Sequence, residues 1–233
     1  MSARQERLRE ALADSDIFGS LTEEEIERLA AYAATVQVAA GQVIFQKGDS
    51  GDSIAVVVSG RVKISALSPD GREAVFTFIE PGRCFGEVAL LDGKARSADA
   101  TAVEASELFI LKRADLLGFL ERHPEIALRI IGVLCARLRR STEMVEDAVL
   151  RNMAPRIARA LLRLAGDYGV SCADGVRIDF KLSQRELGSY VGLARENINR
   201  QLGLWRQEGL VSLVQGRIVL HDMERLRFVA ENG

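Results

Sequence analysis

The sequence predicts an α+β protein in which an antiparallel β-roll is followed by one long helix and by a small C-terminal domain of helices and strands. Three observations support this fold class. Short β-rich runs separated by Gly- and Asp-containing turns fill residues 36–112, a proline-free helical pattern follows Pro124, and two short helical patterns precede a hairpin near the C-terminus. These changes of pattern predict domains at 1–124, 125–150 and 151–233.

Composition and charge restrict the class of protein. Of the 233 residues, 48% are hydrophobic and 27% are charged, as in ordinary globular proteins. No run of about 18 apolar residues is present, so we expect no membrane span. The charged N-terminus lacks the apolar core of a secretory signal, which predicts a cytoplasmic protein. The formal net charge is −2, so binding to nucleic acid would need a locally basic surface.

Cysteine, histidine and motif content argue against catalysis and against a bound metal. Cys84, Cys135 and Cys172 are widely spaced, unlike a disulfide framework or a cysteine-ligated zinc or iron–sulfur site. We expect His123 and His221 to be structural or exposed, and Cys84 to be a buried, unreactive thiol. Since no Ser–His–Asp pattern, metal signature or Walker loop is present, we expect no enzyme and no metal.

The segment FGEVALLDGKARSADATA, residues 85–102, places Glu87 nine positions before Arg96 among small and short aliphatic residues. As a buried ion pair these two would gain little, because desolvation offsets most of their attraction. A ligand that is not protein is the alternative. A cyclic nucleotide presents a charged phosphate, which Arg96 and Ser97 can bind, and a ribose 2′-hydroxyl, which can donate to Glu87.

The residues around Glu87 predict close approach of the backbone to such a ligand. Gly86 and EVALL indicate a loop that turns into a short helix, with Val88 and Ala89 in its first turn. The N–H groups at that helix start would point at the anion. Small residues let the backbone approach without interposed side chains.

Residues 124–150, PEIALRIIGVLCARLRRSTEMVEDAVL, predict one long helix. At 1.5 Å per residue it would extend roughly 40 Å. Apolar residues near heptad spacing form a stripe that could pair with a second copy of the chain, and the alternative is that this stripe packs on its own β-roll. The stripe consists of Ile126, Ile130, Val133, Leu134, Leu138, Met144, Val145 and Ala148.

The segment LSQRELGSYVGLARENINRQLGLWRQEGLVSLVQGRIVLHD predicts a winged helix-turn-helix. Ser183 and Glu186 form an S-x-x-E capping box that starts a short helix. VGLA supplies a tight turn, a second helix is predicted over 195–208, and QG joins two short strands. Helix, turn, helix and hairpin in this order are the parts of that motif.

The second helix of this motif has two different sides. Arg195, Glu196 and Arg200 project from its N-terminal half, the end that enters the major groove. Arginine can bond to guanine and glutamate to cytosine, whereas the alternative is that Glu196 and Arg200 are only a surface i,i+4 pair. The other side is predicted to face the core through Ile198, Leu202 and Trp205.

The cassette at 85–102 and the segment LSQRELGSYVGLARENINR together resemble the cyclic AMP receptor protein and fumarate–nitrate regulator (Crp/Fnr) family of bacterial transcription factors. The resemblance covers nearly the full length of the chain. It implies a homodimer formed through residues 125–150 that binds cyclic AMP and then a double-stranded DNA operator, a palindrome of the type TGTGA-N6-TCACA. The resemblance also implies RNA polymerase as a partner, and it implies no binding to a membrane.

The resemblance also implies two sets of site residues. Ser141 and Thr142 match the positions that contact the base from the long helix. The nucleotide site comprises Gly86, Glu87, Val88, Ala89, Arg96, Ser97, Ser141 and Thr142. The DNA-binding residues are Ser183, Arg185, Arg195, Glu196, Asn199 and Arg200.

Departures from the family pattern leave alternatives open. Ala194 replaces a hydroxyl residue that often contacts phosphate, and the spacing from acid to arginine predicts a different turn at DGKA. Because a hydroxyl such as that of Ser97 can favour guanine, cyclic GMP or dual binding stays open. A family member that senses another signal is a further alternative, and a nucleotide-binding regulatory subunit of an enzyme is one from another class.

Overall fold

A computed structural model describes residues 3–32 and 34–232, and the chain divides into two compact units. Unit 1 contains the chain up to Ser68 together with Phe76–Arg139, and unit 2 contains Pro69–Val75 together with the chain from Arg140 onward. The helices are α1 (Ala3–Ala13), α2 (Glu23–Ala31), α3 (Glu87–Asp92), α4 (Arg113–Leu120), α5 (Pro124–Leu150), α6 (Met153–Tyr168), α7 (Gln184–Val191), α8 (Arg195–Gln207) and α9 (Met223–Asn232).

The strands form antiparallel sheets. They are β1 (Ala34–Val38), β2 (Val43–Phe45), β3 (Ser53–Ser59), β4 (Val62–Leu67), β5 (Glu73–Ile79), β6 (Cys84–Phe85), β7 (Asp99–Ala102), β8 (Ser106–Lys112), β9 (Gly169–Cys172), β10 (Gly175–Ile178), β11 (Val211–Val214) and β12 (Arg217–Leu220). One sheet has the order β1-β8-β3-β6, another β2-β7-β4-β5, and the sheet of unit 2 has the order β11-β12-β10-β9. The predicted α+β class with an antiparallel N-terminal half is confirmed.

Strand β3 lies at the centre of unit 1 because both of its faces are buried. Side chains alternate across a strand, so Ile54, Val56 and Val58 point to one face and Ala55 and Val57 to the other. The first face packs in a cluster with the helices, and the second packs in a cluster between the strands. The continuous apolar run IAVVV therefore reflects burial on two sides.

Helix α5 carries two apolar stripes, and the predicted dimer stripe mixed them. Ile126 and Ile130 are buried in the core of unit 1, with Val133 and Leu134 packed against it. For Ile126 and Ile130, the alternative of packing on the chain's own unit is therefore correct, and a dimer through the rest of the stripe stays a prediction. A second, exposed stripe alternates intervals of three and four residues through Leu128, Ile131, Cys135, Leu138, Thr142, Val145 and Val149.

The C-terminal part contains a strand and a helix that the sequence patterns did not predict. Helix α6 ends at Tyr168, and strand β9 follows directly and pairs with β10. A side chain at Gly166 would meet no atom within 4 Å, whereas a Cβ at Gly169 would lie 2.1 Å from the carbonyl oxygen of Ala165. Glycine is therefore needed at Gly169, where the helix ends. Helix α9 was not predicted.

The helix-turn-helix and the hairpin are confirmed as predicted. Helix α7 begins at the capping box, where the Ser183 hydroxyl accepts from the Glu186 N–H and the Glu186 carboxylate accepts from the Ser183 N–H. The turn to α8 contains Gly192 at φ 74°, a left-handed conformation that favours glycine. Gln215 and Gly216 both have positive φ at the hairpin tip, as a two-residue type I′ turn requires. Within the described ranges, no helix combines the length and apolar composition needed to cross a bilayer.

Candidate functional site

The cassette that contains Glu87 and Arg96 depends on two close backbone approaches. Gly86 precedes α3 at φ 85°, and a Cβ there would lie 2.6 Å from Nη1 of Arg96. A Cβ at Gly51 would lie 2.2 Å from the Cβ of Ala89. Both glycines are therefore needed for the loops to close around α3, as the small residues of this segment predicted for Gly86.

The guanidinium of Arg96 is held in a fixed position by neutral groups. Arg96 is 6% exposed. Its Nη1 donates to the carbonyl oxygens of Ser53 (2.8 Å) and Gly86 (2.9 Å), and its Nη2 donates to the Ser53 hydroxyl (2.9 Å). Its Cζ lies 4.2 Å from the ring centroid of Phe45, which adds a cation–π contact. Among the described residues, Nε of Arg96 is buried without a hydrogen-bond partner.

Burial and nearby carboxylates both act on the charge of Arg96. Burial lowers the pKa of its guanidinium, while the carboxylates of Asp52, Glu87 and Asp49 act in the opposite direction. Arginine nevertheless stays protonated in proteins, so a positive charge is fixed here mainly by carbonyl and hydroxyl oxygens. An anionic oxygen that reached this guanidinium would gain a charge-assisted hydrogen bond.

Glu87 is the most deeply buried acid of the cassette, with a side chain that is 2% exposed. Its Oε1 accepts from Nη1 of Arg137, and Nη2 of Arg137 donates to the carbonyl oxygen of Cys84. Its Oε2 is buried and has no hydrogen-bond partner among the described residues. A buried acceptor left unpaired costs about 1–3 kcal/mol, and more if it is charged. This oxygen is therefore suited to a hydroxyl donor.

The sequence motifs did not identify Arg137 as a residue of the site, although its position on α5 is a signal that could have identified it. It lies 50 positions from Glu87, so no local motif connects the two residues. It follows Ile130 by seven residues and Val133 by four, which places it on the core-facing stripe of α5. An arginine on a core-facing stripe needs a buried partner, and the acid of the cassette is that partner.

The other predicted ligand residues differ in burial. Ala89 is buried, whereas Val88 and Ser97 are exposed. No side chain caps the N-terminus of α3. Ser141 and Thr142 are exposed residues of α5 that belong to unit 2, and their contact with a base stays a prediction. The structure thus brings Gly86, Glu87, Ala89 and Arg96 together in one cassette.

All six predicted DNA-binding residues are exposed in unit 2. They are Ser183, Arg185, Arg195, Glu196, Asn199 and Arg200.

Two of these side chains are oriented by neighbours within the motif. Asn199 accepts from Nε2 of Gln184 at 3.1 Å, and Nη2 of Arg200 donates to Oδ1 of Asn197 at 3.4 Å. Both Glu196 and Arg200 are exposed on α8, and their contact with bases stays a prediction.

The remaining titratable candidates have structural contacts. Burial raises the pKa of the Cys84 thiol, as expected for an unreactive cysteine, and its sulfur lies 3.7 Å from the Ser15 hydroxyl. His123 stacks on Phe119 with ring centroids 4.2 Å apart. Both ring nitrogens of His221 lie within hydrogen-bond distance of protein oxygens. Across residues 3–32 and 34–232, no group of three metal-ligating side chains is present.

Comparisons with known proteins agree with both halves of this geometry. Residues 35–123 match the family model of the cyclic nucleotide-binding domain, and residues 155–229 match that of the Crp-like helix-turn-helix domain. A CRP-like cAMP-activated global transcriptional regulator of Mycobacterium tuberculosis is 31% identical over 217 residues, which are 93% of this chain and 97% of the relative. The chain belongs to the Crp/Fnr family.

Two further proteins extend the comparison. The cyclic AMP receptor protein of Thermus thermophilus is 32% identical over 216 residues, covering 93% of this chain and 97% of the relative. The solved structure of the c-di-GMP-responsive global regulator CLP of Xanthomonas campestris matches with a TM-score of 0.75 at 25% identity, covering 86% of this chain and 100% of that chain. This Crp/Fnr chain is therefore a transcription regulator with a cyclic nucleotide-binding domain and a DNA-binding domain, and not an enzyme. These matches do not support the alternative of an enzyme's regulatory subunit.

Replacing the arginine that pairs with Glu87 tests the role of that ion pair. We expect Arg137→Met to lower the free energy of unfolding by about 3–5 kcal/mol, because the buried carboxylate then lacks its cation. The double variant Glu87→Gln/Arg137→Met should recover part of this loss, since a neutral amide replaces the stranded charge. Urea denaturation followed by far-ultraviolet circular dichroism measures both values.

Arg129→Met is the matched control, because Arg129 is an exposed arginine on the same helix. It should leave the unfolding free energy within about 0.5 kcal/mol of wild type. A double variant as unstable as Arg137→Met alone would contradict the assignment of the loss to an uncompensated charge.

Proposed function

We propose that this Crp/Fnr regulator binds a purine cyclic mononucleotide, with cyclic AMP as the first candidate, and that binding favours a dimer able to bind a palindromic DNA operator. The observation that carries the proposal is the unpaired, buried Oε2 of Glu87 in the same cassette as the fixed guanidinium of Arg96. The two groups offer one acceptor for a hydroxyl and one cation for an anion.

A cyclic nucleotide supplies both complementary groups. Its ribose 2′-hydroxyl would donate to Glu87, and its cyclic phosphate would accept from Arg96, with the Ser97 hydroxyl as a further donor. Gly86 has no side chain to obstruct the sugar and phosphate. Ser141 and Thr142 are assigned to the base on the family resemblance, since adjacent hydroxyls suit the donors and acceptors of a purine edge.

The identity of the effector is part of the proposal. Two relatives are named for cyclic AMP, and one solved relative is named for c-di-GMP. The cassette favours a mononucleotide, because it contains one arginine beside one buried acid. Cyclic GMP, alone or with cyclic AMP, is the second candidate, because the hydroxyl of Ser97 can bond to guanine.

Titration calorimetry of cyclic AMP and cyclic GMP tests the nucleotide site directly. We expect binding of at least one of them to wild type, and a loss of affinity of about 10- to 100-fold in Arg96→Gln, because hydrogen bonds to a charged group are removed. Arg122→Gln, which changes an exposed arginine of the same unit, should bind as wild type does. Equal affinity of Arg96→Gln and wild type would contradict the site.

The DNA interface is proposed to be the N-terminal half of α8. Arg195, Glu196 and Arg200 would contact base edges of a TGTGA half-site, while Ser183 and Arg185 at the start of α7 would contact phosphates together with Asn199. A palindrome requires two recognition helices about 34–36 Å apart. Nucleotide binding would favour the arrangement with this separation through differential contacts in two states. RNA polymerase is the further partner that we propose for such a regulator.

Removing one base-contacting arginine tests this interface. We expect Arg200→Ala to weaken binding to a TGTGA-N6-TCACA duplex by about 5- to 150-fold and to relax the preference at one base pair, since one bidentate contact is lost. Fluorescence anisotropy on the palindrome and on single-substituted duplexes measures both effects. Arg227→Ala, an exposed arginine on α9, is the control and should leave affinity and preference unchanged. An unaltered preference in Arg200→Ala would contradict base contact.

The exposed stripe of α5 is proposed as the dimer seam. In a parallel pair, alternating intervals of three and four residues put the same positions of both helices face to face. Leu128, Ile131, Leu138 and Val145 are exposed apolar residues of this stripe, and Cys135 lies at its centre. The two Cys135 thiols of a dimer would then be close enough for a disulfide.

Mild oxidation of the protein tests the seam. We expect copper(II)–phenanthroline to link two wild-type chains through Cys135: two complexes each accept one electron, and the two thiols lose their protons to solvent as the disulfide forms. The link should persist in Cys172→Ser, since Cys172 lies in the sheet of unit 2, and disappear in Cys135→Ser. Non-reducing electrophoresis detects the linked chains. A link that depends on Cys172, or none at all, would contradict this seam.

A further inference from the structure

The C-terminal half of α5 is fixed to the helix-turn-helix unit by two clusters of arginine and acid. The first is formed by Arg140 with Asp167 and Tyr190, and the second is centred on Asp147. All of these residues belong to unit 2. Neither cluster has a part in the nucleotide cassette or in the DNA interface described above.

Arg140 connects α5 to both α6 and α7. Its Nη1 donates to Oδ2 of Asp167 at 2.7 Å, and its Nη2 donates to the hydroxyl oxygen of Tyr190. Burial disfavours the charged guanidinium, but the interactions with Tyr190 and Asp167 outweigh it and raise the pKa of Arg140. Tyr190 is 3% exposed, so its ring is fixed within the core of unit 2. The hydroxyl of Tyr190 is therefore a rigid attachment point.

Asp147 supports this arrangement from one end of α5. It is 5% exposed and lies among three arginines. Its carboxylate is 2.8 Å from Nε of Arg159 and 2.7 Å from Nη1 of Arg163, both on α6, and 3.3 Å from Nε of Arg151. Since Asp147 follows Arg140 by seven residues, both contacts arise from nearly the same side of α5. The last turns of α5 are thus held against α6.

We propose that Arg140 is a positioning residue that couples nucleotide binding to the helix-turn-helix, and this proposal rests on the proposed function. Arg140 directly precedes Ser141 and Thr142 and follows Arg137 by three residues, which is about 4.5 Å along the axis. One continuous stretch of helix therefore carries Arg137, bound to Glu87, and Arg140, bound to Tyr190.

Tyr190 lies next to the turn that connects α7 to α8, the helix proposed to contact DNA. Tyr190 lies two residues before Gly192, the left-handed residue of the turn that leads into α8. Arg156 of α6 donates to the carbonyl oxygen of Val191 at 2.8 Å, which fixes the same end of α7. Helix α7, the turn and α8 are packed together, with Gly188 against the carbonyl oxygen of Leu193. A displacement of Tyr190 would therefore also displace α8, the helix proposed to contact the bases.

Measurement of the coupling itself separates this role from a structural one. The coupling is the ratio of operator affinities with saturating cyclic AMP and without nucleotide, measured by fluorescence anisotropy on the TGTGA-N6-TCACA duplex. We expect Tyr190→Phe, which removes only the hydroxyl, and Arg140→Met each to lower this ratio at least about fivefold. The double variant should be no worse than Arg140→Met, because both changes break one connection. Arg129→Met should retain the wild-type ratio.

Each outcome decides the proposal. If Arg140 and Tyr190 only stabilise unit 2, replacing them would lower the melting temperature and leave the ratio of operator affinities unchanged. This result in both variants would overturn the coupling role, and the proposed function would remain. A wild-type protein whose operator affinity does not respond to nucleotide would overturn both. A reduced ratio in both variants, with an unchanged ratio in Arg129→Met, would support the role of Arg140.

Discussion

The buried carboxylate of Glu87 is the constraint on which the rest of the structure depends. A carboxylate that is 2% exposed requires a cation, and α5 supplies it through Arg137. That single pair connects the cassette to the long helix within unit 1, and it leaves Oε2 as an acceptor without a partner among the described residues. Gly86 and Gly51 contribute to the burial of Glu87, because they let the backbone close tightly around α3, the helix that carries this acid. The family membership and the unpaired oxygen together favour a ligand that brings a hydroxyl to a buried acid and an anion to Arg96.

Helix α5 combines three roles on different sides of one element. Its first half packs on the core of unit 1 and presents Arg137 to the cassette, whereas its second half is tied to unit 2 through Arg140 and Asp147. Its remaining side is an exposed stripe with heptad spacing, proposed as the seam between two copies. Because α5 is one continuous helix of 27 residues, the side chains of all three roles lie on the same element. The proposed coupling of nucleotide, dimer and operator depends on this shared helix.

The sequence predicted what short segments determine and missed what tertiary contacts determine. The cassette and the helix-turn-helix were found because glycines, capping residues and apolar spacing within about 20 positions define them. Arg137 and Ser53 were missed, because they lie 50 and 43 positions from the residues that they contact. The stripe on α5 was partly misassigned, since two apolar stripes overlap on that helix and spacing alone does not tell which one faces the core. Strand β9 was missed because its pairing with β10, and not its own composition, makes it a strand.

The affinity for cyclic AMP compared with that for 2′-deoxy cyclic AMP tests the central claim most directly. The two ligands differ by the single hydroxyl that is proposed to donate to Oε2 of Glu87. If the claim is correct, titration calorimetry with wild-type protein gives an affinity for the deoxy ligand that is about ten- to a hundredfold weaker, because the buried oxygen stays unpaired. Equal affinity for the two ligands would contradict the assignment of Glu87 to the ribose, and with it the account of why this acid is buried.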